Sequence, residues 1–291
     1  MISINTNNGG LFAAKAASQS QAAIDSAMQR LSTGSRINNA RDDAAGQAIS
    51  TRLTAEIQGL EIASRNVADG QSLIDTAEGA LQETHTLLLR MREIGVQAAN
   101  GTLSSSDNEA LDAEFQQLVK EIDRIAQNTT WAGTALLNGD ASGTVDSTVS
   151  LSFQAGVGNN SGNDVFSVTI KNADATTLDI FAANANTATD NDVNLLTQSN
   201  SQTAIGIVDT AIATVSSERA NLGAVSNRMS STMANLDQIR VNLTASQGRI
   251  QDADFAAETS NLAKGQILQQ AATAMLAQAN ASKQQVLTLI R

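Results

Sequence analysis

From Leu53 onward the chain places Leu53, Leu60, Val67, Ile74, Leu81 and Leu88 at intervals of seven, with Ala63, Ala77 and Met91 partly filling positions three residues on. Heptad spacing of this kind is the seam of a helix that packs along another helix. It predicts a helix over about 43–99, roughly 85 Å long at 1.5 Å per residue, too long to stand in water without a partner on its flank. A second stripe, Val208, Val215, Leu222, Met229, Leu236, Leu243 and Ile250, repeats the interval near the other end. Pairing the two remote stripes is the most economical arrangement, and it brings the chain ends together. A third stripe, Leu111, Phe115, Leu118, Ile122 and Ile125, has the 3.6-residue period of an amphipathic helix; it follows the Asn100-Gly101-Thr102 loop, with Asp107 as candidate N-cap.

Between Trp131 and Asn200 the texture turns to Gly, Ser, Thr, Asn and Asp. Two runs there alternate with period two, 149–153 and 165–170, around a Gly-rich turn, and they predict a β-hairpin. Residues 181–199 are polar without periodicity and read as a linker. The ends, about 1–40 and 253–291, are Ala- and Gln-rich helices with thin apolar stripes: Ile24, Met28 and Leu31, then Phe255, Leu262, Leu276 and Ile290. Such helices are marginal alone, so they are expected to stay largely unfolded in the monomer and to order when neighbouring copies bury them. The fold class that follows is mainly α: a long antiparallel coiled-coil-like helical rod from the N- and C-terminal segments, with a small β-hairpin region in the middle.

Composition sharpens this picture. The 291 residues contain no proline, where about 5% usage would give roughly 15, and that absence suits long uninterrupted helices. Aromatics are only 2%, and much of the 42% apolar fraction is Ala, which packs thin helix layers better than a thick enzyme core. Without cysteine there are neither disulfides nor thiolate metal sites. The first twenty residues lack the basic and apolar regions of a Sec signal, and no stretch is apolar enough for a membrane span, so export is expected to use another route. A net charge of −11 argues against nucleic-acid binding. Within 140–200 seven Asp face Lys171 alone, which marks a water-facing segment.

Several motifs resemble bacterial flagellin. Near the start stand Leu31-Ser32-Thr33-Gly34-Ser35-Arg36-Ile37-Asn38 and Ala40-Arg41-Asp42-Asp43-Ala44-Ala45-Gly46-Gln47-Ala48-Ile49. Near the end come Arg249-Ile250-Gln251-Asp252-Ala253-Asp254-Phe255-Ala256, Gln266-Ile267-Leu268-Gln269-Gln270-Ala271 and Ala274-Met275-Leu276-Ala277-Gln278-Ala279-Asn280. The likeness covers roughly 1–180 and 200–291. It implies an extracellular filament subunit, exported largely unfolded through a flagellar type III apparatus. Residues 1–40 and 253–291 would form the innermost filament domain, and 41–180 with 200–252 the rod domain. Outer domains of larger members would be inserted where 181–199 lie. The assembly candidates are Arg36, Asn38, Asp42, Asp43, Phe255, Leu262, Ile267, Leu268, Met275, Leu276 and Ile290. The resemblance further implies as partners other copies of the chain, an export chaperone, the filament cap and the hook–filament junction proteins. A patch of Arg90, Glu93, Ile94, Gln97 and Glu114 resembles the surface read by the vertebrate Toll-like receptor that senses flagellin, departing from the pattern at Leu89 and Ile94.

Site-like features have simpler readings. Adjacent carboxylates such as Asp42 and Asp43 diverge by about 100° on a helix, which fits helix-terminal or inter-subunit electrostatics better than metal binding. His85 is the sole histidine, so a His-based triad or zinc site is not expected. No GxxxxGK[ST] motif supports nucleotide binding, and no cofactor, enzymatic activity or membrane insertion is expected. The Ser- and Thr-rich 142–203 stretch could accept O-linked sugars. The rivals to a filament subunit are a hook–filament junction protein and a secreted coiled-coil effector, the latter disfavoured by the weak apolar face of the terminal helices.

Overall fold

The computed structural model describes residues 6–138, 148–160, 162, 164–180 and 193–289. Its elements in chain order are α1 (Asn8–Thr33), α2 (Ala44–Ala98), α3 (Ser105–Asn128), β1 (Thr130–Trp131), β2 (Thr134–Ala135), β3 (Thr148–Gln154), β4 (Val165–Lys171), α4 (Gln198–Gln251) and α5 (Phe255–Leu289). The fold is mainly α with small antiparallel strand pairs, as the hydrophobic pattern predicts. The predicted linker at 181–199 lies outside the described residues up to 192. Two compact units form, one from 1–58 with 240–291 and one from 59–239, so both α2 and α4 contribute to each.

In the 59–239 unit the heptad positions are the core. Leu60, Val67, Ile74, Leu81 and Leu88 of α2 are buried, as are Val208, Val215, Leu222, Met229 and Leu236 of α4. The two helices run antiparallel: Gln71 bonds Ser230, Glu78 bonds Arg219 and Arg92 bonds Asp209, one number rising as the other falls. α3 adds Phe115, Val119, Ile122 and Ala126 to this core. Its N-cap is Ser104 rather than Asp107: the Ser104 hydroxyl accepts from the Asp107 backbone N–H, while Asp107 Oδ2 accepts from the Ser104 N–H. Asp107 is the second half of a capping box, a role the acidic residue fills three positions into the helix.

β3 and β4 pair antiparallel from Thr148↔Lys171 to Gln154↔Val165. Phe166, Val168 and Ile170 alternate inward, and the Arg228 guanidinium of α4 lies 4.1 Å over the Phe166 ring. A Cβ on Gly70 would sit 3.2 Å from Phe153, so glycine lets the hairpin approach α2 closely. The tiny β1–β2 hairpin was not legible as a strand pair. Its two central residues, Ala132 (φ 49°) and Gly133 (φ 85°), both adopt left-handed backbone, the signature of a tight primed turn.

Candidate assembly surfaces

The loop between α1 and α2 and the break between α4 and α5 are clasped together. Gly34 ends α1 at φ 70°, where its N–H reaches the Arg30 carbonyl. Beyond it Ser35 forms a β-bridge with Asp252, the Arg36 N–H donates to the Gln251 carbonyl at 2.6 Å, and the Ala253 N–H donates to the Gly34 carbonyl at 2.9 Å. The Arg36 side chain donates through Nη2 to the Ile250 carbonyl at 2.9 Å, covering an acceptor at the end of α4.

Asn38 and the two carboxylates hold the rest of this loop. Asn38 Nδ2 donates to the Ser35 carbonyl, and Asp42 Oδ2 accepts from the Asn38 and Asn39 N–H groups. These backbone donors, Asn39 first, hold the Asp42 carboxyl below its ordinary value. Asp43 Oδ1 accepts from the Gly46 N–H at 2.8 Å and so caps α2. Arg36, Asn38, Asp42 and Asp43 thus all make bonds within the chain.

α1 and α5 pair antiparallel over their length. Asn7 Nδ2 meets the Asn280 side chain, Gln21 meets Gln269, and Arg30 Nη1 meets Glu258 Oε1 at 2.8 Å. Glu258 is largely buried; Arg30, followed by Asn261, holds its carboxyl below the ordinary value. The seam between the helices is made mostly of small residues, with Ile24 the large exception. Ala13, Ser20 and Ala27 of α1 recur every seven residues, as do Gly265 and Ala272 of α5, and all are buried. A Cβ on Gly265 would lie 2.8 Å from Ile24 Cγ1, so Ile24 seats itself in the space the glycine leaves.

Larger apolar side chains of this pair face outward. Phe12 is 74% exposed, Ile267 66% and Met275 64%, with Phe255 and Leu268 also exposed. Leu262 and Leu276 are half-buried, and Ile290 lies outside the described residues. Phe12, Leu268 and Met275 line a groove of about 900 Å³ together with several Ala, Ser and Gly residues and the polar Gln19, Arg30, Glu258, Asn261 and Lys264. Side-by-side apolar groups left in water at this density mark an interaction surface. Neither Phe12 nor the small-residue heptads stand out in the sequence, because Ala, Ser and Gly at seven-residue spacing carry no hydrophobic signal.

In the 59–239 unit Arg90, Glu93, Gln97 and Glu114 are exposed, and Arg90 ties α2 to α3 through Glu114 at 2.8 Å while also reaching Glu93 at 3.1 Å. Glu114 and then Glu93 raise the Arg90 pKa. Ile94 does not belong with them. It is 1% exposed and packs in the core, because it continues the inward face of α2 three residues after Met91. His85 is half-buried on α2. Among the described residues no group of His, Cys, Asp or Glu is placed to hold a metal, and no helix is long and apolar enough to cross a membrane.

The chain matches two family models, the bacterial flagellin N-terminal helical region over residues 4–142 and the C-terminal helical region over 205–290. It is 46% identical over 265 residues to a flagellin of Halalkalibacterium halodurans, covering 91% of each chain. Identity to the flagellin of Bacillus subtilis is 43% over 305 residues, covering 99% of each. The crystal structure of Bacillus cereus flagellin is 34% identical, covering 59% of this chain and 88% of that one, with a TM-score of 0.44.

Proposed function

The chain belongs to the bacterial flagellin family, and from that premise we propose how the work of a filament subunit is divided along it. The established part is coarse: the protein is a structural subunit of the flagellar filament, its family self-assembles, and that filament lies outside the cell. Being structural, it is not an enzyme.

In the proposed division, residues 1–40 and 253–291 form the inner, assembly-bearing domain, while 41–180 and 200–252 form a rod domain that folds by itself. The 181–199 segment is the point where larger relatives insert outer domains. The terminal helices are loosely ordered in the isolated chain and become ordered when neighbouring copies cover them. The observation that carries this reading is the exposure of Phe12, Ile267 and Met275 on a helix pair whose own seam is mostly Ala, Ser and Gly, with Ile24 its one large buried apolar side chain among the described residues. Burying each such side chain is worth about 1.5–3 kcal/mol, more than the seam methyls contribute. A contact that does not close into a ring then extends into an open helical polymer.

Seeded elongation followed by electron microscopy tests this. Wild-type chain is expected to extend seeds, and a Phe12→Asp, Ile267→Asp double variant to fail while keeping the circular dichroism of the wild-type monomer. Unimpaired elongation by that variant would move assembly to another surface; failure of the wild type itself would favour a junction protein or secreted effector.

Export through a type III apparatus with a chaperone, and contacts with the filament cap and junction proteins, belong to the same proposal. So does recognition by a Toll-like receptor at Arg90, Glu93, Gln97 and Glu114, with Ile94 supporting the face from beneath. Arg suits such a contact because its fork of donors engages carboxylates in fixed geometry. Reporter cells carrying the receptor should respond to monomer and respond less to Arg90→Ala; silence at saturating protein refutes recognition.

A further inference from the structure

We propose that Met275 is a peroxide-sensitive modification site, whose oxidation to the sulfoxide stops the unassembled chain from adding to a polymer. This rests on the reading of the α1–α5 groove as an assembly surface.

Four of the six methionines fall into two groups; of the others, Met233 on α4 is half-buried and Met1 lies outside the described residues. Met91 and Met229 are wholly buried in the core of the 59–239 unit, whereas Met28 on α1 is 52% exposed and Met275 on α5 is 64% exposed. Oxidation of a thioether follows its exposure, so the two terminal-helix methionines react while the core ones wait for the fold to open. Met275 alone of the exposed pair borders the groove, beside Phe12, Leu268 and Ala272. As a thioether it is apolar, unbranched and adaptable, well suited to pack against whatever covers the groove.

The chemistry needs a hydroperoxide as oxidant. The Met275 sulfur attacks the terminal O–H oxygen of hydrogen peroxide or an organic hydroperoxide; an S–O bond forms, the O–O bond breaks with its electron pair going to the departing oxygen, and the proton of the transferred oxygen passes to that oxygen, which leaves as water or alcohol. Sulfur loses two electrons and the peroxide gains them. In the free chain the new oxygen projects into solvent and is hydrated, so the monomer tolerates it. Covering the groove would strip that water from a strong acceptor set among Phe, Leu and Ala, which opposes assembly. Once the groove is covered the thioether is shielded, so the site distinguishes unassembled from assembled chain.

The test treats full-length monomer with hydrogen peroxide, maps sulfoxide by peptide mass spectrometry and follows seeded elongation, each protein compared with its own untreated rate. Met28 and Met275 should oxidise on the order of tenfold faster than Met91 and Met229. Treated wild type and Met28→Leu should lose elongation, Met275→Leu should keep its untreated rate, and methionine sulfoxide reductase with a thiol reductant should restore the wild type. Equal oxidation of Met28, Met91, Met229 and Met275, undiminished elongation of oxidised wild type, or equal loss in Met275→Leu would overturn the proposal. Should Met275→Leu not elongate even untreated, the reductase experiment decides, and absence of rescue counts against the site. Untreated wild type that fails to elongate defeats the assembly reading itself, which is a separate result.

Discussion

The two compact units are built from the same device, antiparallel helices meeting along heptad positions, yet they differ in the size of the residues at the seam. In the 59–239 unit those positions hold Leu81, Leu88, Met91, Phe115 and Ile122, and they are wholly buried. In the α1–α5 pair they hold Ala13, Ser20, Ala27, Gly265 and Ala272, with Ile24 the one large buried apolar side chain among the described residues, while Phe12, Ile267 and Met275 are left outside. A fully buried Leu or Phe contributes about 1.5–3 kcal/mol against about 0.8 for a methyl-sized increment, so under the proposed division the first arrangement sustains itself and the second depends on being covered. In the proposed division, seam residue size, not helix length, decides which part of the chain is finished before assembly.

The comparison can be broken most sharply at Phe115. Phe115→Ala removes a wholly buried ring and should lower the stability of the 59–239 unit by about 3–5 kcal/mol in urea unfolding of the monomer. A loss below about 1 kcal/mol would mean that this core is not what holds the unit.

Next in size is one substitution with opposite signs in the two units. Gly265→Ala places a Cβ 2.8 Å from Ile24 Cγ1 and should cost the α1–α5 pairing about 1–3 kcal/mol, read as a lower dissociation temperature of filaments. Gly223→Ala on α4 meets nothing within 4 Å and should raise monomer stability by about 0.5–1 kcal/mol through better helix propensity.

A smaller effect is expected from Glu258. Arg30 and Asn261 hold its folded carboxyl below the ordinary value of 4.5, so its contribution is fully present above that value and is lost as pH falls through and below it. Filaments of wild type should therefore loosen on the acid side, and Glu258→Gln, weaker by about 1 kcal/mol or less at neutral pH, should lose that part of the pH dependence. An unchanged acid profile in Glu258→Gln would assign the dependence to other carboxyls. Smallest in the monomer is Ile267→Ala: at 66% exposure it should shift stability by less than about 0.5 kcal/mol, yet slow elongation measurably.

Much of the fold was legible because large apolar residues at fixed intervals leave little choice. The α2 heptads and the α4 heptads as far as Leu236 became core, with Leu243 and Ile250 only half-buried; the period-two runs became β3 and β4, and α2 spans 44–98 where the pattern predicted about 43–99. Features set by small groups were not legible. Apart from Ile24, the Ala, Ser and Gly seam carries no hydrophobic signal, and the turn at Ala132-Gly133 depends on backbone angles that a single glycine hints at only weakly. At the surfaces, sequence motifs picked out Arg36, Asn38, Asp42 and Asp43 but could not tell that their bonds close a clasp within the chain. Ile94 was grouped with its exposed neighbours because a linear motif does not separate the two faces of a helix, whereas its place three residues after Met91 does.

Hydrogen exchange on monomer and filament, side by side, tests the central claim most directly. The account predicts that amides of α1 and α5 exchange quickly in the monomer and slow sharply on assembly, while those of α3 and the α2 and α4 segments in the 59–239 unit are protected equally in both. Terminal helices as protected in the monomer as in the filament would contradict it, because the α1–α5 pair would then be complete without its neighbours.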